Sequence, residues 1–351
     1  MKTYGNLNKR EDLLIRKALK YYSFINKKAE IKKNVVACVN NVYLIMDGKH
    51  KFILRLSQKG KELSHLKLEI EFLQYLHKKR FKLAPYVIPN KNGELITLLN
   101  KRYYILLNFM PGETKASWNN LKHFNKKKLV SFFKASAYFT KATKHFKPRI
   151  KFENKQVYYY IKDGQSLFNE KLEKISNARI KKLLSKNREF IYKFILQNKQ
   201  ELDELRYDQL PKQLVHFDLH PGNVNFIDDK VSGIFDFDWI RFDNRISDLA
   251  GTISMSCYQY GGKNNALYDK KKIWLGLKTY RKAFGKSEFD RERENKMVKI
   301  VLKSYLFFQF LWCTDLALNS QDQKSYEYLN FFIKVLKLND YDWLFNMSKT
   351  K

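Results

Sequence analysis

The sequence predicts an α+β chain in two lobes, a small antiparallel sheet lobe at the amino-terminal end followed by a mainly helical lobe. Three observations carry this. Short runs of β-branched and aromatic residues, punctuated by Asp47-Gly48 and Asn92-Gly93 turns, fill the stretch up to Met110. Beyond Pro111-Gly112 the apolar residues recur at helical spacing in long, lysine-rich segments. One strand-loop-hairpin stretch, Leu214 to Trp239, then breaks into those helices with a concentrated set of polar residues. With 351 residues, a mass of 42.2 kDa and 44% hydrophobic residues, the chain is large enough for two lobes and apolar enough to be globular.

Taken in order, Leu13, Leu14, Ala18, Tyr21, Tyr22 and Ile25 line one face of an opening helix over Glu11 to Lys28. Strands follow at Val35 to Ala37, Asn41 to Met46 and Lys51 to Leu56. A helix over Leu63 to Lys79 carries Leu66, Ile70, Leu73 and Leu76 on one face with Glu69 beside them. Tyr86 to Pro89, Leu95 to Leu99 and Arg102 to Met110 complete the sheet. The helical part reads as Lys126 to Lys144, Val157 to Asn177 and Ile180 to Gln200. After the interrupting stretch come Ser247 to Tyr260, Tyr268 to Phe284, Arg291 to Ala317 and Gln323 to Leu338. The expected division is therefore 1–108 and 109–351, with a hinge over 106–113, and no internal repeat is visible.

Charge and cysteines narrow the class. The formal charge of +33, from 68 Lys and Arg against 35 Asp and Glu, fits either an anionic partner or a compositional bias, since Lys, Asn, Ile, Tyr and Phe are abundant together. No zinc-finger spacing, RNP-like strand or basic region running into leucine heptads supports a nucleic-acid module. Cys38, Cys257 and Cys313 stand far apart, which argues against a disulfide framework or zinc site and for a reducing cytoplasm. No apolar leader stretch stands at the amino terminus. The most apolar window, Tyr305 to Trp312, is too short to span a membrane and reads as a buried helix.

The chemistry concentrates in the interrupting stretch. After the apolar Leu214-Val215 comes the loop His216-Phe217-Asp218-Leu219-His220-Pro221-Gly222-Asn223. A hairpin from Val224 to Ile234 turns at Asp228-Asp229-Lys230 and leads to Asp236-Phe237-Asp238-Trp239. Phosphoryl transfer needs an Asp to accept the proton of an attacking hydroxyl, and an Asn oxygen with a second Asp to hold Mg²⁺ against nucleotide phosphates. The five-residue step from Asp218 to Asn223 equals that of the protein-kinase H-R-D-x-x-x-x-N loop. Gly222 is expected to let the loop turn tightly.

These residues resemble the aminoglycoside phosphotransferase, choline kinase and type II homoserine kinase group, whose fold is bilobal and protein-kinase-like. The resemblance is sharp over Leu214 to Ala250, including Asp248-Leu249-Ala250. It is weaker over Asn40 to Glu113, where Leu54-Arg55-Leu56, Glu69 to Leu73 and Met110 to Glu113 carry it. The helices from Trp118 to Leu210 carry no matching motif. The resemblance implies that Asp218 is the catalytic base and that Asn223 and Asp236 ligate Mg²⁺. It also implies that Arg55 contacts the phosphates of ATP with Glu69 as its partner, and that adenine lies against Leu107 to Met110. Two departures stand out: Arg55 occupies a position usually written as Lys, and the hairpin Ala37 to Asn41 has no glycine.

Each residue also has a plainer reading. His216 is expected to support the loop backbone, and His220 either touches phosphate or fills the loop. Between Glu69 and Glu71, which point to different sides of their helix, Glu69 faces Arg55 and Glu71 is solvated. Asp238 and Asp243 either face the substrate or cap local structure. Asp248 reads as a support that holds the loop, and Phe307, Phe308, Phe310 and Trp312 as core. The function implied is an ATP- and Mg²⁺-dependent kinase acting on the hydroxyl of an amino alcohol, homoserine-like compound, sugar or aminoglycoside. The alternatives are a non-catalytic nucleotide- or anion-binding module and a Ser/Thr protein kinase of the same fold. A polycationic aminoglycoside suits a chain of charge +33 least.

Overall fold

The computed structural model describes residues 4–34, 40–58, 60–114, 121–257, 268–318 and 323–338. Its strands are β1 (Tyr4–Gly5), β2 (Glu30–Asn34), β3 (Asn41–Asp47), β4 (His50–Leu56), β5 (Val87–Ile88), β6 (Thr97–Leu99), β7 (Arg102–Asn108), β8 (Gln213–Val215), β9 (Val224–Ile227), β10 (Lys230–Ile234) and β11 (Arg241–Asp243). Its helices are α1 (Lys9–Leu19), α2 (Leu63–Lys78), α3 (Lys126–Thr143), α4 (Val157–Lys162), α5 (Gly164–Lys174), α6 (Ala178–Lys186), α7 (Arg188–Glu204), α8 (Arg245–Ser256), α9 (Lys270–Phe284), α10 (Arg291–Ala317) and α11 (Gln323–Lys337). The expected strand Val35 to Ala37, the glycine-free hairpin tip, Cys38 and Trp118 lie outside the described residues, as does the end of the helix expected to reach Tyr260.

Two compact units make up the chain. One comprises Met1–Ala135, His145–Phe152 and Pro221–Asp238; the other comprises Ser136–Lys144, Glu153–His220 and Trp239–Lys351. This differs from a cut at residue 108, because the β9–β10 hairpin joins the sheet unit. The expected hinge, 106–113, lies inside that unit as well. Glu113 bridges to Phe226 of β9 in both directions at 2.9 Å, and the Ser232 hydroxyl donates to the Pro111 carbonyl at 2.7 Å.

In the sheet unit seven of the described strands form one antiparallel sheet in the order β1-β2-β3-β4-β7-β5, with β6 also paired to β7, and β9 and β10 pair separately. The Asp47↔His50 pairing closes β3 and β4 over the two-residue turn Gly48-Lys49, whose Gly48 has φ +57°. Helix α1 starts at Asn8, whose side chain accepts from the Glu11 N–H, and packs Ile15, Ala18 and Leu19 against Ile45, Leu54, Tyr104 and Leu106. It stops at Leu19, short of the expected Lys28. The chain then enters β2, whose sequence Glu-Ile-Lys-Lys-Asn has little strand character, so pairing with β1 and β3 outweighs local preference there.

The helical unit is built around α10. Its 27 residues are buried on nearly every side, packing against α4, α7, α8 and α11. By length and composition this helix could cross a membrane, but 83% of its apolar window is buried inside the protein, as expected of a core helix. Two long helices of the sequence reading are divided. α4 gives way to α5 at Asp163-Gly164, where a Cβ on Gly164 would lie 3.0 Å from Phe307, and α6 gives way to α7 at Asn187.

Candidate active site

Successive strand residues point to opposite faces, and β4 uses both. Leu54 and Leu56 join the core beneath α1, while Arg55 points the other way, toward the buried carboxylate of α2. Arg55 Nη1 and Nη2 donate to Glu69 Oε1 and Oε2 at 2.6 and 2.5 Å, a bidentate pair with side chains 6% and 1% exposed. Glu71, two residues on, is not solvated as expected: it pairs with Arg149 at 3.1 Å and accepts the Arg149 backbone N–H.

Asp238 extends the pair into a network. Its Oδ1 lies 2.6 Å from Lys61 Nζ and 3.3 Å from Arg55 Nη1, and its Oδ2 accepts from Asn40 Nδ2 at 2.5 Å. Burial alone would raise the Asp238 carboxyl, but Arg55 and Lys61 outweigh it and hold the group below the ordinary carboxylate range. Asp238 therefore turns into this network and is not the substrate-facing group that one reading expected. Lys61 and Asn40 were not singled out in the sequence. A lysine among 68 Lys and Arg gives no signal until the turn before α2 places it.

Asn223 and Asp236 stand at the same end of the β9–β10 hairpin. Ile234 pairs with Val224 in register, and the Phe235 N–H donates to the Asn223 carbonyl at 3.0 Å. Asn223 closes the 3-10 turn Pro221–Asn223, and the glycine within it does not have positive φ. In this stretch positive φ falls instead on Phe217, at +65°, on Asp228 in the hairpin turn, at +55°, and on Asp236, at +67°, a conformation uncommon for non-glycine residues. Burial and then the Asp238 carboxylate raise Asp236 above its ordinary value, with Arg55 offsetting part of the rise. Among the described residues no three of His, Cys, Asp and Glu gather as a ready metal cage. Two oxygen-bearing side chains at one end of a hairpin nonetheless suit Mg²⁺, which takes one or two carboxylates and fills its remaining positions with water and substrate phosphates.

In the helical unit the loop before Asn223 is fixed through its backbone. Asp248 of α8 accepts the His216 N–H at 2.9 Å and the Phe217 N–H at 2.7 Å, and the Tyr305 hydroxyl donates to the Phe217 carbonyl at 2.6 Å. Arg241 lays its guanidinium 3.5 Å from the centre of the Phe217 ring. Burial raises the Asp248 carboxyl to about 7, with the two backbone N–H groups drawing it back. His216 is fully buried, its ring against Phe139. Asp218 keeps 27% of its side chain exposed, 3.7 Å from His220 Nε2. Burial, with a smaller contribution from His216, lowers His220 to about 3, so it stands neutral beside Asp218.

Asp243 does not face substrate. It is fully buried, accepting from the Val157 N–H that opens α4, from the Tyr207 hydroxyl and from the Asn244 N–H, at 2.8, 2.8 and 2.7 Å. Leu107 lies between β4 and β5, and the Met110 carbonyl accepts from Asn225 Nδ2 at 2.8 Å. Phe307, Phe308 and Phe310 are core, as expected, and Phe308 and the less buried Trp312 also line a cavity of 200 Å³ with Tyr160, Trp239, Lys155, Lys171 and Asp315.

The chain has relatives among known proteins. The chain is 39% identical over 56 residues to a homoserine kinase of Methylocella silvestris, covering 16% of this chain and 17% of that protein. It is 27% identical over 234 residues to a homoserine kinase of Agrobacterium fabrum, covering 66% and 65%. The chain thus spans less than two thirds of either relative. Among solved structures, a microcompartment-associated aminopropanol kinase superposes with a TM-score of 0.68 at 15% identity, over 92% of this chain and 94% of the other. An amicoumacin kinase in complex with AMP-PNP, Ca²⁺ and Ami gives 0.66 at 17% identity, over 93% and 92%. These likenesses show the bilobal, protein-kinase-like fold. The model of the phosphotransferase enzyme family matches residues 37–270, two thirds of the chain, and the chain belongs to that family.

Proposed function

We propose that the chain is an ATP- and Mg²⁺-dependent kinase that phosphorylates a hydroxyl of a small molecule. The observation that carries this reading is the clamp on the loop. Phe217 is held in a strained conformation from both of its backbone groups, while Asp218 beside it stays 27% exposed. A carboxylate on a rigid backbone, open to solvent, is what acceptance of a hydroxyl proton requires. Asp218 orients the attacking hydroxyl and takes its proton. Asn223 and Asp236 would hold the metal, Arg55 paired with Glu69 would fix β4 against α2 on the side that receives the phosphates, and Leu107 and Met110 would lie against adenine. Mg²⁺, when bound, neutralises charge on the phosphates.

The relatives named homoserine kinase and the aminopropanol kinase likeness support a small hydroxylated acceptor. An amino alcohol or homoserine-like compound suits a chain of charge +33 better than a polycationic aminoglycoside. The buried free thiols of Cys257 and Cys313 accord with a reducing cytoplasm. A panel of amino alcohols, hydroxylated amino acids, sugars and aminoglycosides, assayed for ADP release with Mg²⁺ and ATP, tests the proposal. Turnover is expected with a small amine-bearing alcohol. Absence of both ATP binding and ADP release across the panel would contradict it.

A further inference from the structure

Arg55 is already committed to two carboxylates. Of its five N–H groups, one on each terminal nitrogen is directed at Glu69, and Nη1 also faces Asp238 at 3.3 Å. Its Nε is buried and has no hydrogen-bond partner among the described residues, so one donor stays open. A guanidinium gripped in this way serves as a strut between β4 and α2. Releasing it would leave Glu69, 1% exposed, with Lys61 at 3.6 Å as its remaining cation.

Lys61 is placed differently. It follows Gly60, whose φ of +83° turns the chain ahead of α2, and its Nζ meets Asp238 Oδ1 at 2.6 Å and Glu69 Oε2 at 3.6 Å. The side chain is 7% exposed, a costly position for an ammonium group unless it is paired. An ammonium on a flexible four-carbon stem has three donors and can change partner without disturbing the backbone. Its present partner, Asp238, is two residues from Asp236. Asn40 holds the other Asp238 oxygen at 2.5 Å, so that carboxylate keeps a ligand if Lys61 leaves.

Resting on the kinase reading above, we propose that Lys61 is a phosphate-binding residue for the nucleotide, exchanging Asp238 for a phosphate oxygen, while Arg55 acts mainly as a positioning residue. Two cations thus divide the work that one lysine does in protein kinases. Arg55 fixes α2, and Lys61 supplies mobile charge.

The test measures binding of ATP with Mg²⁺, and of adenosine, to the full chain by titration calorimetry. Lys61→Met removes the charge and keeps the stem. Lys61→Gln keeps a donor for Asp238 should the first variant fold poorly, and Lys61→Arg restores the charge. Both neutral variants should bind ATP about ten- to a hundredfold more weakly, the loss of a hydrogen bond to a charged group, and adenosine within about twofold of wild type. Lys61→Arg should recover most of the ATP affinity. Equal effects on ATP and adenosine, or none on either, would overturn the assignment and leave Lys61 a structural ion pair. Wild-type protein that binds no ATP would instead sink the kinase reading itself.

Discussion

In the sheet unit Arg55, Lys61, Glu69 and Asp238 hold one another through side-chain charges, whereas in the helical unit the Asp218 loop is held through its backbone by Asp248 and Tyr305. The difference is one of exchangeability. Ion pairs among side chains can be traded for an incoming anion of similar charge, as proposed for Lys61 and Asp238. Backbone N–H groups bound to a buried carboxylate have no such substitute, because leaving them unpaired costs their full desolvation. On the proposed kinase reading, a charge network suits a part that receives a polyanion, and a backbone clamp suits a part that presents one carboxylate in one place.

The largest effect should come from breaking the charge network at its most buried member. Glu69→Ala leaves Arg55 without its bidentate partner and should cost about 3–5 kcal/mol in denaturant unfolding. A loss within experimental error would mean that Asp238 alone can balance Arg55. Asp248→Asn replaces one acceptor by an NH₂ group facing a backbone N–H. About 1–3 kcal/mol should be lost, accompanied by reduced turnover, since the loop conformation depends on both contacts. Unchanged stability would show that Tyr305 suffices to fix Phe217.

A smaller, pH-dependent effect sharpens the contrast. His220 is lowered to about 3 in the folded chain against an ordinary value near 6.5, so the unfolded chain binds its proton first. The stability it contributes is fully present above pH 6.5 and is lost progressively as pH falls toward 3. By pH 6 the loss should be about 1 kcal/mol, and His220→Gln should remove that component of the acid sensitivity. Identical pH profiles for the two proteins would exclude His220 as the source.

Much of the fold was legible because its signals are local. The Asp47-Gly48 turn, the apolar spacing of α2 and the uninterrupted α10 each follow from residues close in sequence, and the Asp218-to-Asn223 step marked the loop. The Arg55–Glu69 pair was also readable, from strand and helix periodicity together. What escaped depends on tertiary packing. β2 forms from a lysine-rich segment because its neighbours pair with it, and Asp243 was open to either reading until α4 and Tyr207 enclosed it. The β9–β10 hairpin belongs with the sheet unit through Glu113 and Asn225, contacts that span more than a hundred residues. Strain at Phe217 and Asp236 left no mark in the sequence, since neither position holds a glycine.

The most direct test of the central claim is Asp218→Asn, which keeps the side chain's shape and removes its charge. With ATP, Mg²⁺ and an acceptor identified by the panel, turnover should fall by about a hundred- to ten-thousandfold, while ATP affinity stays near that of the unaltered chain. Turnover close to that of the unaltered chain would contradict the assignment of Asp218 as the base.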